Sequence, residues 1–149
     1  MLNVDNPFHC DQAMYLLDTN VISELRRPRP HDAVLKWIRP IASADLHLCA
    51  VTIGEIQAGI ELARAQDRSK ALEIKAWLEA VVDSYPVLPM DGKAFRQWAR
   101  FMHGKSETLY EDAMIAVIAM VNGLVVVTRN TSDFKAFGVK TLNPFNTKP

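Results

Sequence analysis

Apolar residues run in short blocks at Tyr15-Leu16-Leu17, Leu46 to Val51 (interrupted only by His47) and Leu124 to Val127. Unbroken hydrophobicity, as opposed to alternation, predicts strands covered on both faces, the habit of parallel sheets. Between the blocks the spacing is helical. Val21 to Leu25 predicts a short helix that Pro28 and Pro30 end. Asp32 to Ile38 predicts another, inward through Val34, Trp37 and Ile38. Thr52 is the expected N-cap of the next helix, with Glu55 at capping-box spacing and a stripe of Ile53, Ile56, Ile60 and Ala63. Ser69 to Val82, inward through Leu72, Ile74, Leu78 and Val81, completes a helical hairpin with it. Pro86 to Met90 reads as a short strand or extended link. Asp91 caps a helix carrying Phe95, Trp98 and Met102, which Gly104 ends. Lys105 to Leu109 is a polar loop. Tyr110 to Asn122 is apolar almost all round and needs cover on two sides; Gly123 closes it. Thr128 to Phe134 reads as a loop and Val139 to Leu142 as a last edge strand.

Strands alternating with helices predict right-handed crossovers and an α/β fold of three layers: a mostly parallel sheet of four to five strands with helices on both faces. In such a sheet the strand carboxyl ends and certain helix amino ends share one rim, where open α/β folds place their ligands. Asp18 ends the first strand, and Glu55 lies in the first turn of the helix after the second. Asp112 opens the helix before the Leu124 strand, and Asp133 follows that strand. Each has a plain structural explanation, since helix amino ends favour acids. Together they repel: at about 5 Å and an effective dielectric of about 20, each pair costs roughly 3 kcal/mol before screening. A cation, or protonation of some of the acids, relieves that cost. Carboxylates without His or Cys partners suit Mg²⁺ or Mn²⁺, and a carboxylate cup of this kind suits phosphodiester cleavage.

Composition removes several other classes. The chain of 149 residues carries 17 Lys and Arg against 17 Asp and Glu, so any grip on nucleic acid is local. Arg26, Arg27 and Arg29 cluster near the Asp18 edge, where a solvated loop and a phosphate-contacting lip are both open. His9, His31, His47 and His103 lack zinc spacing, and Cys10 and Cys49 form no disulfide framework, which fits a cytoplasmic setting. The longest apolar run, Ala113 to Val121, is too short to span a bilayer. Residues 1–13 have no basic start or apolar middle and are expected to be a poorly ordered extension before a single domain over 14–149. There is no G-x-S-x-G elbow, and Gly54 to Gly59 is followed by Ile60-Glu61 where a phosphate loop needs Lys and Ser or Thr. A receiver-like phosphoacceptor would need paired acids at the first strand's end, where only Asp18 stands before Thr19-Asn20.

Leu16-Leu17-Asp18-Thr19-Asn20-Val21-Ile22-Ser23-Glu24-Leu25 resembles the opening of PIN-domain ribonucleases, in particular the VapC/FitB-like toxins of bacterial toxin–antitoxin pairs. Val51-Thr52-Ile53-Gly54-Glu55-Ile56, Glu111-Asp112-Ala113-Met114-Ile115-Ala116 and Val127-Thr128-Arg129-Asn130 leading to Asp133-Phe134 resemble the later motifs, in order. Leu142-Asn143-Pro144-Phe145 resembles the closing segment. The resemblance implies a PIN-like fold and a Mg²⁺-dependent endoribonuclease with Asp18, Glu55, Asp112 and Asp133 at the metal. It implies support from Asn20 and Thr128, with Arg129 near the site. Arg26, Arg27, Arg29 and Arg129 are then the expected grip on the RNA backbone. A homodimer and a small antitoxin partner are implied as well. Thr108-Leu109-Tyr110-Glu111 lacks the proline common before the third acid in relatives, so Glu111 is expected to share or perturb the site. The other class that fits is a catalytically silent PIN scaffold serving as a protein- or RNA-binding module.

Overall fold

The structure is a computed structural model that describes residues 13–146; the expected N-terminal extension lies almost wholly outside the described residues. Five strands, β1 (Tyr15–Leu17), β2 (Leu46–Cys49), β3 (Val87–Leu88), β4 (Val125–Val127) and β5 (Thr141–Leu142), pair in the order β3-β2-β1-β4-β5, every pair parallel. Seven α-helices connect or follow them among the described residues: α1 (Thr19–Glu24), α2 (Asp32–Ile38), α3 (Ala50–Gln66), α4 (Arg68–Ser84), α5 (Gly92–Met102), α6 (Tyr110–Asn122) and α7 (Thr131–Lys135). The chain is the α/β fold that its pattern predicts, a parallel sheet with a helical layer on each face, and this agrees with the PIN-like fold that the motif resemblance implies.

The unbroken strands are apolar on both sides because each side has its own core. Leu16, Cys49 and Val126 point to one layer, where they meet Ile115, Ile118, Ala119 and Phe134. Their chain neighbours Leu17, Leu48 and Val127 point to the other, against Val21, Val34, Ile56, Ile60 and Leu78. Successive side chains of a strand face opposite ways, so one short strand serves two cores. Phe134 is wholly buried and anchors α7, the helix that carries Asp133. Phe134→Ala is expected to lower unfolding free energy by about 3–5 kcal/mol, read from urea denaturation; a change under about 1 kcal/mol would contradict this packing.

The structure corrects several boundaries. β2 stops at Cys49 and α3 begins at once at Ala50, so Thr52 is inside the helix and no capping box forms. The Thr52 hydroxyl is instead buried and accepts a hydrogen bond of 3.1 Å from the Thr19 hydroxyl. Glu55 consequently stands in the second turn of α3. On α4, Ala71 takes the buried place beside Ile74, Leu78 and Val81, while Leu72 is 66% exposed. The expected loop over 128–134 contains the start of α7, and the polar stretch before α6 contains a turn of 3₁₀ helix, Glu107–Leu109. α6 keeps its predicted ends, with Gly123 at φ +66° receiving the last turn. No helix among the described residues is long and apolar enough to cross a membrane.

Candidate active site

Strand register builds the site. Leu17 pairs with Val127, and the Asp18 amide donates to the Val127 carbonyl at 2.9 Å. The next residues of the two strands, Asp18 and Thr128, therefore leave the sheet side by side. The Thr128 hydroxyl donates to Asp18 Oδ2 at 2.8 Å, and Asn20 Nδ2 donates to the same oxygen at 3.2 Å. The Thr19 amide donates to Asp18 Oδ1 at 2.8 Å. Asp18 is thus both the cap of α1 and the floor of the rim. Asn20 also reaches Thr128 Oγ1 at 3.3 Å, and its Oδ1 accepts from the Arg129 amide at 3.2 Å. Both predicted supporting residues, Asn20 and Thr128, hold Asp18 in place.

A cavity of about 320 Å³ opens above this floor, lined by Asp18, Thr19, Asn20, Ser23, Glu55, Glu111, Asp112 and Asn130. α3 supplies Glu55 and the amino end of α6 supplies Glu111 and Asp112. Asp133, exposed on α7, does not line the cavity, yet its charge reaches both Asp18 and Asp112. Burial raises Asp18 above the ordinary carboxylate range, against the pull of its three hydrogen bonds. Burial, then the neighbouring Glu111 charge, pushes Glu55 up to about 7. Burial, followed by the charges of Asp18, Asp133 and Glu111, pushes Asp112 up to about 6. Three carboxyls with pKa values raised above the ordinary range line one open cavity. Thr128→Val removes the buried donor at nearly constant volume and is expected to raise the Asp18 pKa further, followed by carboxyl NMR titration; an unshifted Asp18 titration would contradict the contact.

The donor set is all oxygen and matches a hard divalent cation in kind. Among the described residues, no three acids are set to hold an ion as they stand. Four acids from four elements do converge electrically, and three of them line one cavity. None of Arg26, Arg27, Arg29 and Arg129 lines it. Arg27 instead pairs with buried Glu24 at 3.3 Å, and Arg129 lies 3.8 Å over the Phe145 ring. Ser23 and Asn130 are lining residues that sequence reasoning missed. Ser23 falls one helical turn after Thr19, a signal readable once α1 is known to begin at Thr19.

The PIN domain family matches residues 15–140. VapC ribonuclease Y4jK of Sinorhizobium fredii is 36% identical over 138 residues, 89% of this chain and 98% of that protein. Toxin FitB of Neisseria gonorrhoeae is 32% identical over 140 residues, 89% of this chain and 99% of the toxin. The crystal structure of FitAcB from Neisseria gonorrhoeae matches with a TM-score of 0.79 at 32% identity, covering 90% of this chain and 100% of that one. DNA-bound VapBC from Salmonella typhimurium shares the fold, with a TM-score of 0.69. With residues 15–140 matched and two relatives above 30% identity along nearly their whole length, the chain belongs to the PIN-domain family, in its VapC/FitB-like branch.

Proposed function

We propose that the chain is a Mg²⁺-dependent endoribonuclease, with Mn²⁺ as a substitute ion, that cuts RNA phosphodiester bonds at Asp18, Glu55, Asp112 and Asp133. The observation that carries this is the single cavity lined by Asp18, Glu55 and Asp112, each with its proton affinity raised. A bound divalent ion supplies Lewis acidity toward the phosphate and offsets charge on the leaving oxygen. Asp18 and Asp112 would hold it most directly, with Glu55 and Asp133 completing the acidic ring. Asn20 and Thr128 fix the Asp18 carboxylate so that it does not swing away from that position. Glu55, pushed up to about 7 in the metal-free chain by burial and by the Glu111 charge, would give up its proton on joining that ring.

The VapC ribonuclease and Toxin FitB relatives support a role as a ribonuclease toxin; the proposal takes its partners to be a small antitoxin, an RNA substrate and a second copy of the chain, in a cytoplasmic setting. The experiment is cleavage of total RNA by purified protein with Mg²⁺, with Mn²⁺ and with EDTA, and then with the neighbouring small gene product added. Metal-dependent cleavage that the small protein suppresses is the expected result. A silent scaffold, the rival reading, gives none under any condition.

Arg26, Arg27 and Arg29 stand exposed on the loop after α1 and would hold RNA through its phosphates. Neutralising all three is expected to weaken RNA binding and to flatten the dependence of log affinity on log salt by about 2–3. An unchanged slope would remove them from the interface.

A further inference from the structure

Beside the acids, a chain of contacts leads from the sheet rim to an aromatic ring. Arg129 stands between Thr128, which bonds Asp18, and Asn130, which lines the acid cavity. Its amide is held by Asn20, and its carbonyl accepts from Asn143 Nδ2 at 3.4 Å. Asn143 Oδ1 accepts in turn from the Phe145 amide at 3.0 Å, which fixes the ring beneath the Arg129 guanidinium, 3.8 Å from its centroid. His31 packs its edge on the same ring, with centroids 5.3 Å apart. The His31 amide donates to Glu24 Oε1 at 3.0 Å, so a buried carboxylate ties down the end of the arginine loop. A cleft of about 480 Å³ lined by Glu24, Arg27, Pro28, Arg29 and His31 adjoins it.

The Arg129 guanidinium has its carbon 3.8 Å from the centre of the Phe145 ring, and among the described residues it forms no salt bridge. Its planar face is of the kind on which unpaired bases stack, and the loop arginines supply backbone contacts nearby. We propose that Arg129 on Phe145, flanked by His31, is a stacking platform for an unpaired base next to the cut. This deepens the nuclease assignment and rests on it. A duplex keeps its bases stacked on one another and gains nothing from the platform.

The test is binding, in EDTA, of a short single-stranded RNA carrying 2-aminopurine and of the same sequence closed into a duplex. Arg129→Lys keeps the charge and loses the plane; Phe145→Leu keeps apolar bulk and loses the ring. Each is expected to weaken single-strand binding about 5- to 10-fold and to abolish the 2-aminopurine quench. Duplex affinity should stay within about 2-fold, and the salt slope of Arg129→Lys should be unchanged. Thermal melts identify a variant that has lost its fold, and the other variant then decides. Wild-type affinity in both variants, or equal losses on single strand and duplex, would overturn the platform. So would a wild-type protein that binds neither RNA but takes up an antitoxin peptide on this face. Discrimination without any cleavage in Mg²⁺ overturns the nuclease assignment and upholds the platform as an RNA site.

Discussion

Asp18→Asn will reduce RNA cleavage at least about 10³-fold while leaving the fold intact. Among the described residues, the carboxylate is the only acid held from three directions, by the Thr19 amide, the Asn20 amide nitrogen and the Thr128 hydroxyl. Asparagine fills the same volume, and its one oxygen can still accept from Thr128 and Asn20 while the Thr19 amide loses its acceptor, but it brings no charge to a cation. Because burial already disfavours the charged form of Asp18, removing the charge offsets that lost bond, and the variant should melt close to wild type when divalent ions are absent. Single-turnover cleavage and a thermal melt on one preparation check both halves. Full activity in the variant would remove Asp18 from the chemistry, and a collapsed melt would make it a structural residue only.

The second large effect is a dependence of stability on pH that divalent ions reverse. Asp18, Glu55 and Asp112 all have folded-state pKa values above their ordinary ones, Glu55 at about 7 and Asp112 at about 6. In the fold these groups bind protons more tightly than in the unfolded chain. Their contribution is fully present below about pH 4 and is lost as pH rises through the two folded values. Metal-free protein should therefore lose stability between about pH 5 and pH 8. With solvent screening at half-buried positions, the loss is about 2 kcal/mol, or about 4–8 °C in Tm for a chain of this size. Mg²⁺ or Mn²⁺ should restore most of that at the alkaline end and little at the acid end, because ligation needs the deprotonated form. Differential scanning fluorimetry across pH, with and without the ion, gives the answer. A metal-independent profile, or stability that rises with pH, would contradict the clustering of these acids.

How far the sequence anticipated this depends on whether the deciding force was local. α6 is bounded as its pattern predicts because Gly123 supplies a left-handed residue no neighbour could replace cheaply. The rim itself was legible because parallel register places whatever follows Leu17 and Val127 together. The start of α3 was not: Ala50 and Val51 suit either strand or helix, and Thr52 with Glu55 looks like a helix start. The true partner of the Thr52 hydroxyl, Thr19, is 33 residues away. Leu72 misled in a similar way, since α4 packs closely on α3 through small Ala71 and turns the larger side chain outward. The polar letters of Thr131-Ser132-Asp133 read as a loop because the buried side of α7 is essentially Phe134 alone. Glu111 lines the cavity next to Asp112 and adds to the pressure on both Glu55 and Asp112, which no spacing rule could have settled. The pairing of Arg129 with Phe145 joins residues from two loops and leaves no periodic trace.

Calorimetric titration of Mn²⁺ into the metal-free protein at about pH 6.5, in buffers of differing ionisation enthalpy, most directly probes the carboxyl cavity. Saturable uptake accompanied by proton release, lost in both Asp18→Asn and Asp112→Asn, is the predicted result. Absence of uptake, or uptake without proton release that both variants retain, would mean that these side chains do not form a cation site.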